Sequence, residues 1–154
     1  MVDIFLSWAE GADTTLSLPQ YETKGAAGAD LRANFAPYNR ATGVTLVAGS
    51  RALISTRLHM EIPIGYEVQI RPRSGLAKKH GVTTLNAPGT IDSDYRGIVG
   101  IVLYNSGNQD FHIAHGDRVA QMVVAPVLQA VFVLKAALGE TDRGQTGFGS
   151  TGTS

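Results

Sequence analysis

The chain has 154 residues, the size of one ordinary domain, and 44% of them are hydrophobic, which is enough to build a core. Its 13 basic and 13 acidic residues leave a formal net charge of zero, which argues against a protein that binds nucleic acid through the phosphate backbone. There are no cysteines, so disulfides, thiolate nucleophiles and cysteine-bound metals are excluded, and a cytoplasmic location is expected.

No membrane partner is expected either. No apolar run approaches the roughly 20 residues that span a bilayer. The segment Met1 to Trp8 lacks the basic region and the small-residue cleavage site of a signal peptide.

Short segments that are apolar, or that alternate between apolar and polar residues, recur between turn signals and predict an all-β sandwich or barrel. The first is Arg51 to Met60, which we interpret as strand. In Tyr66 to Arg71, apolar side chains alternate with polar ones, as in a half-buried strand. Ser74 to His80 predicts one short helix, with Ser74 as its N-cap and Gly81 just past its end.

The segment Ile98 to Tyr104 is apolar almost throughout, so as a strand it needs cover on both faces. A central position in a sandwich would provide that cover, and so would contact with a neighbouring subunit. The segment alone favours neither.

The last third of the chain begins with two predicted strands, Phe111 to Ile113 and Val119 to Val124, the second ending near Pro126. Leu134 to Leu138 has no clear assignment. From Gly139 onward there is too little apolar surface to pack a core. We therefore predict a β core of residues 1–138 and a flexible glycine-rich arm of residues 139–154.

Five short segments carry residues suited to chemistry, and each also has a structural interpretation. The first, Ala27 to Leu31, places Asp30 beside glycine, where an acid in a strand-edge turn is more often structural than catalytic. The second, Arg71 to Gly75, combines guanidinium groups, a hydroxyl and a helix start. That combination suits phosphate binding about as well as it suits a capped helix with a surface arginine.

The third segment, Asn86 to Gly97, is the most suggestive. It contains two acids, an amide able to read a base edge, and an aromatic ring, among glycines and a proline that allow sharp turns. An acid here could act as a general base or bind a metal. The alternative is a polar hairpin, because Asp-Ser-Asp is common in turns.

The fourth segment, Gly116 to Met122, carries Gln121 as the lone amide of a strand, which by itself indicates little. The fifth, Arg143 to Gly152, is glycine-rich but lacks the Gly-Lys-Ser/Thr of a Walker loop. It is either a frayed terminus or a segment that uses Arg143 and Phe148 to fold over an anion and a ring.

In this order and spacing, the five segments resemble the five motifs of the trimeric dUTPase family, from about Ala27 to Gly152. The resemblance implies a single-domain, barrel-like β jelly roll with at most one short helix. It also implies a homotrimer whose active sites draw residues from all three chains. The implied reaction is Mg²⁺-dependent hydrolysis of dUTP to dUMP and pyrophosphate, which would limit uracil in DNA and supply dUMP for thymidylate synthesis.

The resemblance also implies roles for matching residues. Asp92 matches the acid that activates water for attack on the α-phosphorus. Tyr95 matches the aromatic residue beneath the deoxyribose, and Asn86 matches the amide of the uracil site. The uracil site also uses hairpin backbone, which matches Thr90, Ile91 and Gly100.

The remaining matches concern the phosphates and Mg²⁺. Asp30 matches an acid that acts on Mg²⁺ through water, since the phosphates and water would mainly hold the ion. In the arm, Arg143 matches a γ-phosphate contact, and Phe148 matches the ring that covers uracil. The matches to other phosphate-binding residues are Arg73, Ser74, Gly75 and Gln121 in the core and Gly149, Ser150 and Thr151 in the arm.

The nearest rival function is that of a dCTP deaminase, which shares the fold and the nucleotide pocket. Deamination needs an acid that moves protons at the pyrimidine ring, whereas here Asp92 matches a position beside the phosphates. A non-catalytic regulatory module on the same fold would have lost Asp92 or the arm, and neither is lost. A capsid-like jelly roll would not need Arg73, Gln121 and Arg143 together.

Overall fold

The computed structural model describes residues 1–142 and 144–145 of the chain. This part contains eleven strands and one α-helix, α1 (Ser74–His80), together with a 3₁₀ turn at Pro37–Asn39. The strands are β1 (Phe5–Trp8), β2 (Ala29–Arg32), β3 (Val44–Leu46), β4 (Arg51–Ser55), β5 (Leu58–Glu61), β6 (Tyr66–Arg71), β7 (Val82–Thr84), β8 (Gly89–Ile91), β9 (Gly100–Asn105), β10 (Phe111–Ile113) and β11 (Arg118–Pro126). The predicted all-β class with one short helix is confirmed.

The strands pair antiparallel in four small sheets. The largest has the order β2-β11-β6-β8, and a three-stranded sheet has the order β4-β9-β7. Two further pairs are β1-β5 and β10-β3. Leu31 and Val68 of the large sheet and Ile54 and Ile101 of the three-stranded sheet belong to one buried apolar cluster, so both sheets share a single core.

Several local predictions are confirmed by the element bounds. β6 is Tyr66–Arg71, and its inward-facing Val68 and Ile70 are buried as the alternation predicts. β10 matches its predicted range, and β11 ends at Pro126. Helix α1 ends at His80, where Gly81 adopts the left-handed conformation that favours glycine.

The segment Arg51 to Met60 is strand at most of its positions, as predicted, but it forms two strands, β4 and β5, which lie in different sheets. Arg57 separates them with a φ of 51°, a left-handed backbone that lies outside the extended region of regular strands. Thr56 holds the break in place: its Oγ1 donates to the carbonyl of Val99 (2.7 Å) and accepts from the N–H of Leu58 (3.2 Å).

Ser74 is not the N-cap that the sequence predicts. The N-cap is Arg73, in an extended conformation and without a side-chain capping bond, and Ser74 is the first helical residue. The sequence Arg-Ser-Gly contains no local signal that would place the N-cap at the arginine, one residue before the serine.

Strand β9 lies in the centre of its sheet, but it is covered on only one face within this chain. Ile101 and Leu103 are buried, whereas Val102 and Tyr104 are only partly buried. On the neighbouring strand, Leu53 pairs with Val102 and is 72% exposed. β9 is thus central in its sheet, but the described residues do not give it the cover on both faces that a central sandwich position would provide, and the second face still offers an apolar surface.

The chain has no helix or strand between Pro126 and residue 142. Apolar side chains in this segment are strongly exposed, including Leu128, Phe132 and Leu134. The predicted boundary between core and arm at residue 138 stays a prediction. In the described ranges, no helix is long and apolar enough to cross a membrane.

Candidate active site

The segment predicted to bind the base forms one wall of a pocket of about 230 Å³. Strand β8 pairs with β6 here, and the ends of β7 and β9 supply further walls. The pocket therefore brings together the described residues predicted for base, sugar and water activation. Its lining consists of Ile70, Thr84, Asn86, Gly89, Thr90, Ile91, Asp92, Tyr95, Gly100 and Ile101.

The ring of Tyr95 is held in place by its neighbours. Its Oη donates to the carbonyl of Ile98 (3.0 Å). The ring lies directly against Gly97, where any side chain would collide with it. Because Tyr95 stays partly exposed at the pocket, it offers an aromatic surface on which a sugar could rest.

The turn after β8 is held mainly by its own hydrogen bonds. The N–H of Tyr95 donates to the carbonyl of Asp92 (3.1 Å), and the guanidinium of Arg96 donates to the carbonyl of Ser93 (2.7 Å). From β5, His59 donates from Nδ1 to the carbonyl of Arg96 (2.8 Å). Sequence reasoning missed His59, because no local pattern connects it with a turn 37 residues away.

Asp92 also lines a second pocket, which is larger, at about 660 Å³. Its other walls include Ile64, Tyr66 and Asp94. A base needs converging donors and acceptors, and these are supplied in the smaller pocket by the amide of Asn86 and the backbone of β8. The smaller pocket is therefore the candidate base site, and Asp92 lies at the boundary of the two pockets.

The predicted phosphate-binding residues form a second group, where β2, β11 and β6 lie side by side. Gln121 stands opposite Asp30 on one neighbouring strand and opposite Arg71 on the other. Asp30 lies within β2, and not in the predicted turn. It forms an ion pair with Arg73 Nε (3.1 Å) and accepts a hydrogen bond from Arg118 Nη1 (3.2 Å).

Arg73 is thereby fixed in orientation. Its Nε is bound to Asp30, and its Nη1 donates to the carbonyl of Arg118 (3.0 Å). Within the described residues, Nη2 is left as the group that can reach an anion. Arg118 is the residue that sequence reasoning missed here, although it stands inside the fourth segment.

Gln121 depends on a glycine in the first segment. Its Nε2 donates to the carbonyl of Pro72 (2.9 Å), which directs the amide toward the start of α1. A side chain at Gly28 would collide with this amide. In the first turn of α1, the N–H groups of Ser74 and Gly75 have no carbonyl of the helix to bind.

The side chains around Asp30 have to fit the Mg²⁺ that the resemblance implies. Both carboxylate oxygens of Asp30 are engaged by guanidinium groups, so direct ligation would break an ion pair. The described part of the chain contains no group of three or more His, Asp or Glu side chains placed to hold a metal. These residues fit a cation held mainly by phosphates and water, with Asp30 at most an indirect contact.

The two groups lie on the same four-stranded sheet, where β6 contributes Ile70 to the base pocket and places Arg71 opposite Gln121. Among the described residues, no side-chain hydrogen bond or ion pair joins the base pocket to the group around Arg73. The predicted arm contacts lie outside the described residues. They are Arg143, Phe148, Gly149, Ser150 and Thr151.

Comparison with known proteins identifies the family. The family model described as dUTPase matches residues 14–152. The chain belongs to the dUTPase family. It is 62% identical over 152 residues to the deoxyuridine 5'-triphosphate nucleotidohydrolase of Roseobacter denitrificans, covering 99% of this chain and 97% of that protein. It is 56% identical to the protein of the same name from Dinoroseobacter shibae, covering 92% and 91% of the two chains.

Solved structures show the dUTPase fold at lower identity. A mutant dUTPase of Staphylococcus bacteriophage 80alpha with dUpNHpp superposes with a TM-score of 0.79 at 23% identity, covering 97% of this chain and 98% of that chain. A mutant dUTPase from phage phi11 of S. aureus, studied for the coordination of a structural Mg(II) ion, gives a TM-score of 0.69 at 21% identity, covering 88% of this chain and 97% of that chain. These likenesses concern the fold.

Proposed function

We propose that this chain hydrolyses dUTP to dUMP and pyrophosphate. The observation that carries the proposal is the position of Asp92 at the edge of a pocket of about 230 Å³ in a chain of the dUTPase family. That volume suits one pyrimidine ring with part of its sugar, so the phosphates must lie outside the pocket, on the side of Asp92.

In this proposal the base is read by Asn86 and by the backbone of β8 and Gly100, and Tyr95 lies beneath the deoxyribose. Asp92 accepts a proton from a water molecule as the water oxygen attacks the α-phosphorus. The bond between the α-phosphorus and the α–β bridging oxygen breaks, and pyrophosphate leaves with that oxygen. No covalent enzyme intermediate is involved.

The phosphate chain is bound by Arg73, by Ser74 and Gly75 at the start of α1, and by Gln121. Arg73 suits this role because Asp30 and the carbonyl of Arg118 hold its guanidinium. A fixed guanidinium can bind an anion without first being ordered.

Mg²⁺, when bound to the triphosphate, supplies positive charge that neutralises the phosphates and favours departure of pyrophosphate. Asp30 would act on the ion only through water, since its two oxygens are already paired with Arg73 and Arg118.

A homotrimer with shared active sites is part of the proposal. It is supported by the apolar face that β4 and β9 leave uncovered, where Leu53 is 72% exposed. The exposed apolar side chains of Phe132 and Leu134 support it as well, at 95% and 99% exposure, since a neighbouring subunit would cover them. The arm residues Arg143 and Phe148 would complete the site.

Pyrophosphate release from each of the four dNTPs and dUTP, with and without Mg²⁺, tests the function. We expect rapid release from dUTP alone, and a large loss of rate without Mg²⁺. Ammonia released from dCTP, or no turnover of dUTP, would contradict the proposal. A cytoplasmic location stays a prediction, which cell fractionation would check.

A further inference from the structure

The base pocket contains a buried hydroxyl to which the roles described above give no task. Thr84 is the last residue of β7 and lines the pocket, although the residue is only 3% exposed. Its Oγ1 is buried and has no hydrogen-bond partner among the described residues.

An unpaired buried hydroxyl destabilises a fold, because it has lost its hydrogen bonds to water without replacing them. Valine has the same shape as threonine and would avoid that cost at this position. The side chains of Ile70 and Ile101, which line the same pocket, are apolar and buried, so they provide no partner for the hydroxyl. A small number of polar groups among apolar lining residues is typical of a pocket that orients a ligand.

We propose that Thr84 is a binding residue of the base pocket, and that its hydroxyl finds its hydrogen-bond partner on the pyrimidine base. The inference rests on the proposed function, since it assumes that a base enters this pocket. Rotation about the Cα–Cβ bond exchanges Oγ1 with the methyl group, so a hydroxyl shielded in the empty pocket can turn toward a ligand.

A hydroxyl both donates and accepts, so Thr84 can pair with a carbonyl oxygen or with a ring N–H. The residue therefore contributes affinity, whereas discrimination between pyrimidines falls to groups with a fixed donor pattern, such as the backbone of β8.

The experiment compares three variants with the wild type. Thr84→Val removes the hydroxyl and keeps the shape, and Thr84→Ser keeps the hydroxyl. Thr83→Val makes the same chemical change one residue earlier on β7, where the side chain points to the opposite face. Calorimetry measures binding of a dUTP analogue with an imido bridge between the α- and β-phosphates, and thermal unfolding measures the stability of the free proteins.

We expect Thr84→Val to weaken binding by about three- to tenfold, the value of one hydrogen bond. Its free form should unfold at the wild-type temperature or above, because an unpaired hydroxyl has been removed. Thr84→Ser should bind within about twofold of wild type, and Thr83→Val should bind as wild type does.

Wild-type affinity in Thr84→Val would overturn the inference. A lower unfolding temperature of free Thr84→Val would overturn it too, because the hydroxyl would then have a partner inside the fold. If Thr83→Val weakened binding of the analogue as much as Thr84→Val does, the effect would belong to β7 as a whole, and the inference about the Thr84 hydroxyl would be overturned. If the wild type released no pyrophosphate from dUTP, the proposed function would fail, and the inference about Thr84 would fail with it. The results for the Thr84 and Thr83 variants, by contrast, bear only on the inference and leave the proposed function intact.

Discussion

At the scale of single residues, Asp92 is the side chain on which turnover should depend most, since it lies at the boundary of the two pockets. Asp92→Asn keeps the shape of the side chain and removes the proton acceptor. We expect pyrophosphate release from dUTP to fall by about 10²-fold or more, with binding of the imido analogue near the wild-type value.

Asp94→Asn is the matched control. Asp94 lies two residues away and lines only the second pocket, so its substitution should affect turnover far less. If Asp92→Asn turned over dUTP at the wild-type rate, Asp92 could not be the general base.

Gly28 gives a second prediction at this scale. A methyl group at Gly28 would collide with the amide of Gln121, which is the far end of a flexible side chain and can move aside. Gly28→Ala should therefore leave the protein folded but displace Gln121, and raise the KM for dUTP by about five- to tenfold. Steady-state kinetics and circular dichroism measure the two effects.

Gly25→Ala controls for the general effect of alanine on this loop, because the space around Gly25 is open and its backbone is not left-handed. Its kinetics should equal those of the wild type. Equal kinetics of Gly28→Ala and Gly25→Ala would mean that the position of Gln121 does not matter for substrate binding.

At the scale of elements, Asp13 joins the segment after β1 to the turn between β10 and β11. Its carboxylate accepts from the Thr15 hydroxyl (2.6 Å), from the Thr15 N–H (2.9 Å) and from His115 Nε2 (3.1 Å). His115 Nδ1 accepts from the N–H of Phe35 (3.0 Å), so the neutral ring carries its proton on Nε2. These contacts, the Thr15 bonds first, lower the pKa of Asp13 from 3.8 to about 2.

The lowered pKa makes stability depend on pH in a defined window. A depressed pKa in the folded state adds stability that is present above about pH 4 and is lost as the pH falls to about 2. The difference in the free energy of unfolding between wild type and Asp13→Asn should therefore shrink over this window. Urea denaturation at several pH values measures it.

Asp3→Asn removes an exposed carboxylate near the same terminus and serves as the control. Its difference from wild type should change less between pH 4 and pH 2. A constant difference between wild type and Asp13→Asn over this range would show that the contacts to Thr15 and His115 do not favour the charged form.

At the scale of the whole molecule, the exposed apolar segment after β11 should be an interface. Light scattering should give about three times the chain mass of 16.3 kDa. Phe132→Glu places a charge on a side chain that is 95% exposed in the single chain, so it should weaken assembly and turnover together while the β core stays folded.

Tyr38→Glu is the matched control, because Tyr38 is also strongly exposed but lies in the 3₁₀ turn, on a different part of the surface. It should leave mass and turnover unchanged. A Phe132→Glu monomer with wild-type turnover would contradict a site that is shared between subunits.

Much of this architecture follows from local order in the sequence. The alternation in Tyr66–Arg71 predicts the buried positions of β6, because successive side chains of a strand face opposite sides. Gly81 marks the end of α1, because a left-handed residue ends a helix. The five segments in their order indicate the dUTPase family, and with it a jelly roll and the reaction.

Only the tertiary structure decided which distant residues meet. Arg118 and Asp30 are 88 residues apart, and their contact depends on the pairing register of β11 with β2. No local sequence pattern indicates that His59 contacts the turn after β8 or that Thr84 lines the base pocket. Sequence patterns report forces that act over a few residues, whereas strand register is set by burial across the whole core, so these contacts required the fold.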